Sequence, residues 1–76
     1  MKATILLTTN PNSEQKAYEM IKGLLDDPRI VSAAHLLGRF DGAVVCDCSD
    51  TKDLNELAER LRQGGVFFTE TLLHID

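Results

Sequence analysis

Five consecutive residues, Gly38-Arg39-Phe40-Asp41-Gly42, put a guanidinium, an aromatic ring and a carboxylate side by side between two glycines. A carboxylate can hold a cation, a guanidinium offers a planar fork of donors to an anion, and a ring supplies an apolar wall. A bland reading of the same residues stands beside that one: the glycines permit a turn, Asp41 bonds local backbone, and Phe40 fills the core or a contact between copies. A second constellation, Cys46-Asp47-Cys48 with His35 or His74, carries soft-metal or nucleophile chemistry. Its single-residue spacing is narrower than the paired spacings of structural zinc sites, no CxxC is present, and free cysteine more often packs as a small hydrophobe. No metal and no cofactor is expected. GxxxxGK[ST], HExxH and GxSxG are all missing from the sequence.

The elements that would position these residues are legible from periodicity. Residues 2 to 9 are apolar and β-branched and stop at Asn10-Pro11, which predicts a first strand. Asn12 with Gln15 three residues on has capping-box spacing, and Ala17, Tyr18, Ile21, Leu24 and Leu25 then recur at helical intervals up to Asp26-Asp27-Pro28. Residues 30 to 37 carry no long charged side chain, which predicts a second strand covered on both faces. Residues 43 to 48 form a third strand, joined to the second by the glycine-bearing connection as a hairpin. Asp50 or Thr51 caps a second helix with Leu54, Leu57, Ala58 and Leu61 on one stripe and Glu56 with Arg60 as an i,i+4 pair on the wet side. Gly64-Gly65 ends it, and residues 66 to 75 make a fourth strand.

Strand, helix, strand, strand, helix, strand is the ferredoxin-like βαββαβ order, an α+β fold with a four-stranded antiparallel sheet and two helices on one face. Residues 1 to 76 read as a single domain without repeats or linkers. At 76 residues such a domain buries only about 60% of its unfolded surface and gains from a staple or a partner. Cys46 and Cys48 lie too close along one strand for an unstrained disulfide, so nothing points to secretion. There is no leader-like segment and no apolar run near the roughly 20 residues of a membrane span, so a cytoplasmic chain with no membrane partner is expected. Eight Lys and Arg against twelve Asp and Glu, a net charge of −4, leave no basic footprint for direct nucleic-acid binding.

Two helices cover one face of such a sheet, and the other face would alternate to polar if it met water. Both sides of the first strand (Ala3, Ile5, Leu7 against Thr4, Leu6), of the second (Ile30, Ala34, Leu36 against Val31, Ala33, Leu37) and of the fourth (Val66, Phe68, Leu72 against Phe67, Leu73, Ile75) carry apolar side chains. An uncovered apolar patch of that kind calls for another protein surface, and a two-fold dimer, sheet against sheet, is the simplest closed solution. A missing covering domain is the other.

With Gly38-Arg39-Phe40-Asp41 followed by Gly42-Ala43-Val44-Val45, and with Thr69-Glu70-Thr71-Leu72-Leu73 on the last strand, the chain resembles the C-terminal effector-binding (RAM) domain of the Lrp/AsnC transcription regulators over essentially its whole length. The resemblance implies βαββαβ domains that dimerise through their sheets in an α/β-barrel-like assembly and build octamers or other rings of dimers. It also implies amino-acid or related effectors in clefts between dimers. Those regulators place a helix-turn-helix domain before the first strand, whereas here the strand begins at residue 2. A stand-alone or excised effector domain is therefore expected, with a full-length regulator of the same family as a partner and no DNA binding carried over.

An amino-acid effector needs an anion for its ammonium, donors for its carboxylate and a wall for its side chain. Asp41 is the candidate for the first and Arg39 or the backbone N–H groups of Gly38 and Gly42 for the second. Phe40 is the candidate wall, and Thr69 and Thr71 add hydroxyls. Two other classes share the topology: a small dimeric ferredoxin-like isomerase or oxygenase, for which His35 or Asp41 is the candidate acid-base group, and an ACT-like amino-acid-binding module. The Gly-x-Phe-Asp hairpin favours the regulator family, and a non-catalytic role is expected.

Overall fold

The computed structural model describes residues 1–9, 14–64 and 66–75. The Asn10-Pro11 turn, the Asn12 cap and the stop at Gly65 lie outside these residues.

The chain runs β1 (Lys2–Thr9), α1 (Glu14–Leu24), β2 (Ile30–His35), β3 (Gly42–Asp47), α2 (Thr51–Gln63) and β4 (Val66–Leu73). The four strands form one antiparallel sheet in the order β2-β3-β1-β4, the ferredoxin-like arrangement expected from the element order.

Register decides which residues share a face, because directly opposed residues in antiparallel strands point the same way. Ala3, Ile5 and Leu7 oppose Cys46, Val44 and Gly42, and all six are buried. This is the helix-covered side, closed mainly by Leu54, Leu57, Ala58 and Leu61 of α2 and by Leu24 of α1. α2 starts well: Asp50 is its N-cap, with a side-chain oxygen accepting from the Asp53 amide at 2.8 Å. It ends at Gly64, whose amide donates to the Leu61 carbonyl.

Five expectations are corrected. β2 ends at His35 instead of Leu37, leaving Leu36 and Leu37 in the hairpin connection with Leu37 fully exposed. β2 is also an edge strand, with Val31, Ser32, Ala34 and His35 exposed, so within one chain it is covered on one face only. Its register shifts between Ile30 and Ser32, and this puts Ile30 with Ala33 on the helix side, opposite Cys46 and Val44, while Ala34 faces away. Glu56 does not pair with Arg60. Both turn to the α1–β2 loop, where Arg60 Nη1 donates to Asp27 Oδ2 at 3.2 Å and Glu56 Oε1 lies 3.5 Å from Arg29 Nη1. α1 stops at Leu24, earlier than the proline required, and the Asp27 amide turns back onto the Leu24 carbonyl at 2.8 Å.

Arg29 fastens that loop. Its Nε and Nη2 take the two oxygens of Asp27 at 3.0 and 2.7 Å, and its Nη1 reaches Asp53 Oδ1 at 2.8 Å. The bidentate contact holds the Asp27 carboxyl down to about 2.

On the opposite side of the sheet the register makes two rows: Ala34, Ala43, Leu6, Glu70 and Ser32, Val45, Thr4, Leu72, with Thr8 beside Phe68 at one end. No described helix covers this face. Leu6, Ala43 and Val45 are half-buried at its centre, while Phe68 and Leu72 are about half exposed at its β4 margin. At the other end His74 Nε2 meets Thr4 Oγ1 at 2.7 Å, and the chain's first amino group pairs with Asp47 at 3.1 Å.

Candidate functional site

The β2–β3 connection is closed by Leu36, whose amide donates to the Asp41 carbonyl at 2.9 Å. Gly38 takes φ 140°, a region that L side chains resist, which is why glycine stands there. Arg39 stacks its guanidinium 5.9 Å from the centre of the Phe40 ring, and its side chain is exposed. A Cβ at Gly42 would lie 3.4 Å from the Ala34 carbonyl oxygen and 3.5 Å from Leu7 Cδ1, so the glycine lets β2, β3 and β1 close up at this end.

Asp41 is the best-anchored residue of the group. Its amide donates to the Leu7 carbonyl at 2.8 Å, and its Oδ2 accepts from the Thr9 amide at 2.8 Å and the Thr9 hydroxyl at 3.2 Å. The carboxylate thus extends the β1–β3 pairing beyond the last ladder residue and fixes the point where the chain leaves the sheet. One oxygen is committed to this task; Oδ1 has no protein partner among the described residues.

Thr69 and Thr71 lie on β4. They oppose Leu7 and Ile5 on the helix side of the sheet. Leu7 has Gly42 on one flank and Thr69 on the other, so the two candidate groups are two strand spacings apart, roughly 10 Å. Thr69 Oγ1 accepts from Arg62 Nη1 at 2.9 Å, and Thr71 is exposed. Within one copy the hairpin residues come together and the threonines stay apart from them.

Sequence periodicity missed an open groove of about 340 Å³ between α1 and β2. Tyr18, Ile21, Lys22 and Leu25 line it from the helix side, and Ala33, Ala34 and His35 from the strand. The rings of Tyr18 and His35 meet at 5.6 Å and 59°. A narrower crevice of about 10 Å³ continues past them to Thr9, Asp41 and Gly42. The signal that could have found the groove is the topology itself, since α1 must return along β2 and its polar positions 18 and 22 sit one helical turn apart.

The cysteine constellation does not assemble. Cys46 and His35 stand at opposite ends of the β2–β3 ladder, against Ile30 and Gly42 respectively, and His74 is on the other face. Both thiols are free and buried; burial pushes Cys46 up to about 11 and Cys48 upward as well, so both remain protonated at neutral pH. Among the described residues no three His, Cys, Asp or Glu side chains gather as a metal-holding group.

No protein-family model and no curated protein matches the chain. Solved structures do. FFRP-DM1 is 28% identical with a TM-score of 0.78, the match covering 97% of each chain. TTHA0845 from Thermus thermophilus is 25% identical with a TM-score of 0.80, covering 99% of this chain and 92% of that one. An AsnC family transcriptional regulator from Agrobacterium tumefaciens superimposes with a TM-score of 0.81 at 10% identity, covering 99% of this chain and 50% of the regulator. The chain shares its fold with Lrp/AsnC regulators. Its structural neighbours are Lrp/AsnC regulators, of which it spans about half, together with small proteins that it matches nearly end to end. The likeness expected from the Gly38–Asp41 hairpin is therefore met at the level of fold. Among the described residues, no helix is long and apolar enough to cross a membrane.

Proposed function

We propose that this chain is a non-catalytic regulatory module of the Lrp/AsnC type, residues 1 to 76 forming one unit that assembles through its bare sheet face and senses a small effector, an amino acid. The observation that carries the reading is the face built from Leu6, Ala43, Val45, Phe68 and Leu72, apolar at its centre and opposite both helices. An AsnC family transcriptional regulator among its structural neighbours supports the role.

A sheet-to-sheet dimer covers that face, and rings of such dimers, octamers included, bring one copy's hairpin toward another copy. The effector site then draws on Gly38, Arg39, Phe40, Asp41 and Gly42 from one side, with Asp41 Oδ1 open to an ammonium and the Arg39 guanidinium to a carboxylate. Thr69 and Thr71, on the opposite edge, join it from a second copy. Effector shifts the assembly by favouring one arrangement over another, and the output passes through a full-length regulator of the same family that shares these surfaces, without direct nucleic-acid contact by this chain. Two buried free thiols suit a reducing, cytoplasmic setting.

Sedimentation velocity at micromolar concentration, repeated with a panel of amino acids and paired with thermal shift, tests the reading. Dimers or larger species whose distribution or melting responds to one amino acid are expected, with Leu6→Glu giving a folded monomer. A wild-type chain that sediments as a folded monomer removes the proposal.

A further inference from the structure

Each described polar side chain lining the α1–β2 groove can donate a hydrogen bond. The Lys22 ammonium, the Tyr18 hydroxyl and the His35 ring can each donate, and none of them has a hydrogen-bond or ion-pair partner among the described residues. Among the described residues no carboxylate lines the groove, although the chain as a whole carries a net charge of −4. The rest of the side-chain lining is apolar, from Ile21, Leu25 and the small Ala33, and its volume of about 340 Å³ falls within the range of small-ligand pockets. Asp41 stands in the adjoining crevice, whose roughly 10 Å³ is one water's worth of space, and its Oδ2 already serves Thr9.

We propose that this groove binds a small monocarboxylate with a short apolar body, its carboxylate on Lys22 with help from the Tyr18 hydroxyl and the His35 ring. The site favours the free acid over the matching amino acid because, among the described residues, no carboxylate lines the groove to balance an added ammonium beside Lys22. It is separate from the hairpin site proposed above and needs no second copy: every group it uses comes from one chain. A free acid fits the groove in charge and size, since the apolar floor takes the body while the exposed ammonium fixes the head.

Three probes with one carbon skeleton separate the contributions: 4-methylpentanoate, its neutral amide, and leucine. In a ¹H–¹⁵N NMR titration up to about 50 mM, a range suited to fragment-sized ligands, 4-methylpentanoate is expected to give saturable shifts centred on Tyr18, Lys22, Ala33 and His35. The amide should bind roughly three- to fivefold more weakly, the factor an exposed ion pair supplies, and leucine, which keeps the carboxylate but adds an ammonium beside Lys22, should also bind more weakly than the acid. Lys22→Met should bring the carboxylate down to the amide's affinity and leave the amide unchanged. Equal binding of acid and amide, shifts centred on residues 38 to 42 or on the sheet face, no saturation, or an unchanged carboxylate affinity in Lys22→Met would each overturn the site. Sedimentation of the same samples keeps the two proposals apart. A monomer that binds in the groove defeats only the sheet-face assembly, and a dimer that ignores the acid defeats only the groove.

Discussion

Asp41 and Arg29 show how the same kind of residue serves structure or chemistry according to what its neighbours demand. The sequence marks Asp41 as a candidate for ligand contact and leaves Arg29 unremarked, because a motif exposes a residue's type and spacing but not the partners that folding delivers. Asp41 spends one oxygen on the end of β1, so Asp41→Ala should lower unfolding stability by about 1–2 kcal/mol in urea titrations through the two bonds lost at Thr9. Arg29, only 17% exposed at its side chain, answers Asp27, Asp53 and Glu56 together. Arg29→Met leaves Asp53 and Glu56 without this cation and Asp27 with Arg60 alone, and should cost about 2–4 kcal/mol by the same measurement. The ion pair also sets an acid limit. The Asp27 carboxyl, 9% exposed, titrates at about 2 in the folded chain against 3.8 unfolded, chiefly because Arg29 donates to it. A lowered folded value means the contribution is complete above about pH 4 and is lost as the pH falls toward 2. Its full size is about 2 kcal/mol, and it should vanish from the pH dependence of stability in Asp27→Asn.

At the scale of elements, β1 and α2 could be read from the chain because burial on one side gives a clean signal. Ala3, Ile5 and Leu7 alternate into the core, and Leu54, Leu57, Ala58 and Leu61 make a single stripe. β2 could not be read so well. Ile30, Val31, Ala33, Ala34, Leu36 and Leu37 are apolar or small at both parities, and the register shift after Ile30 changes which parity faces the helices. Its edge position follows from the strand order, which no local pattern in residues 30 to 37 encodes. The α1–β2 groove was hidden for the same reason: positions 18 and 22 meet positions 33 to 35 only after the sheet has formed. The turn glycine of the hairpin was legible although the ends of its strands were not: Gly38 at φ 140° leaves little choice of side chain, and Gly38→Ala should cost about 1 kcal/mol or more without changing helix content. α2 depends on its cap in a comparable way. Asp50→Ala removes the acceptor for the Asp53 amide and should cost about 1 kcal/mol in thermal unfolding, with Asp50→Ser recovering most of it.

For the whole molecule, the surface left bare weighs as much as the surface buried. One chain exposes 5068 Å², about a tenth above the roughly 4600 Å² expected of a self-contained protein of 8.4 kDa. The excess, a few hundred Å², is the scale of the apolar face around Leu6 and Val45, and covering that much would supply several kcal/mol at about 25 cal/mol per Å². Its mixture of Leu, Val, Ala and Thr suits a dry contact, while Asp47, Lys2, Glu70 and His74 border it with groups that can stay wet. If folding and pairing are linked in this way, stability must depend on concentration, because dilution favours separated, unfolded chains by mass action. Each tenfold rise in concentration adds about 1.4 kcal/mol per dimer, and for a domain of this size that moves the melting temperature up by a few degrees. Leu6→Glu puts a charge at the centre of the face in a position half-open to water, so the fold of one chain can accommodate it while the pair cannot. The expected result is a wild-type melting temperature that climbs across a hundredfold range of concentration and a Leu6→Glu curve that is flat and lower throughout. A flat wild-type curve with Leu6→Glu melting at the same temperature would mean that the face is content in water, and the proposed assembly would have nothing to drive it.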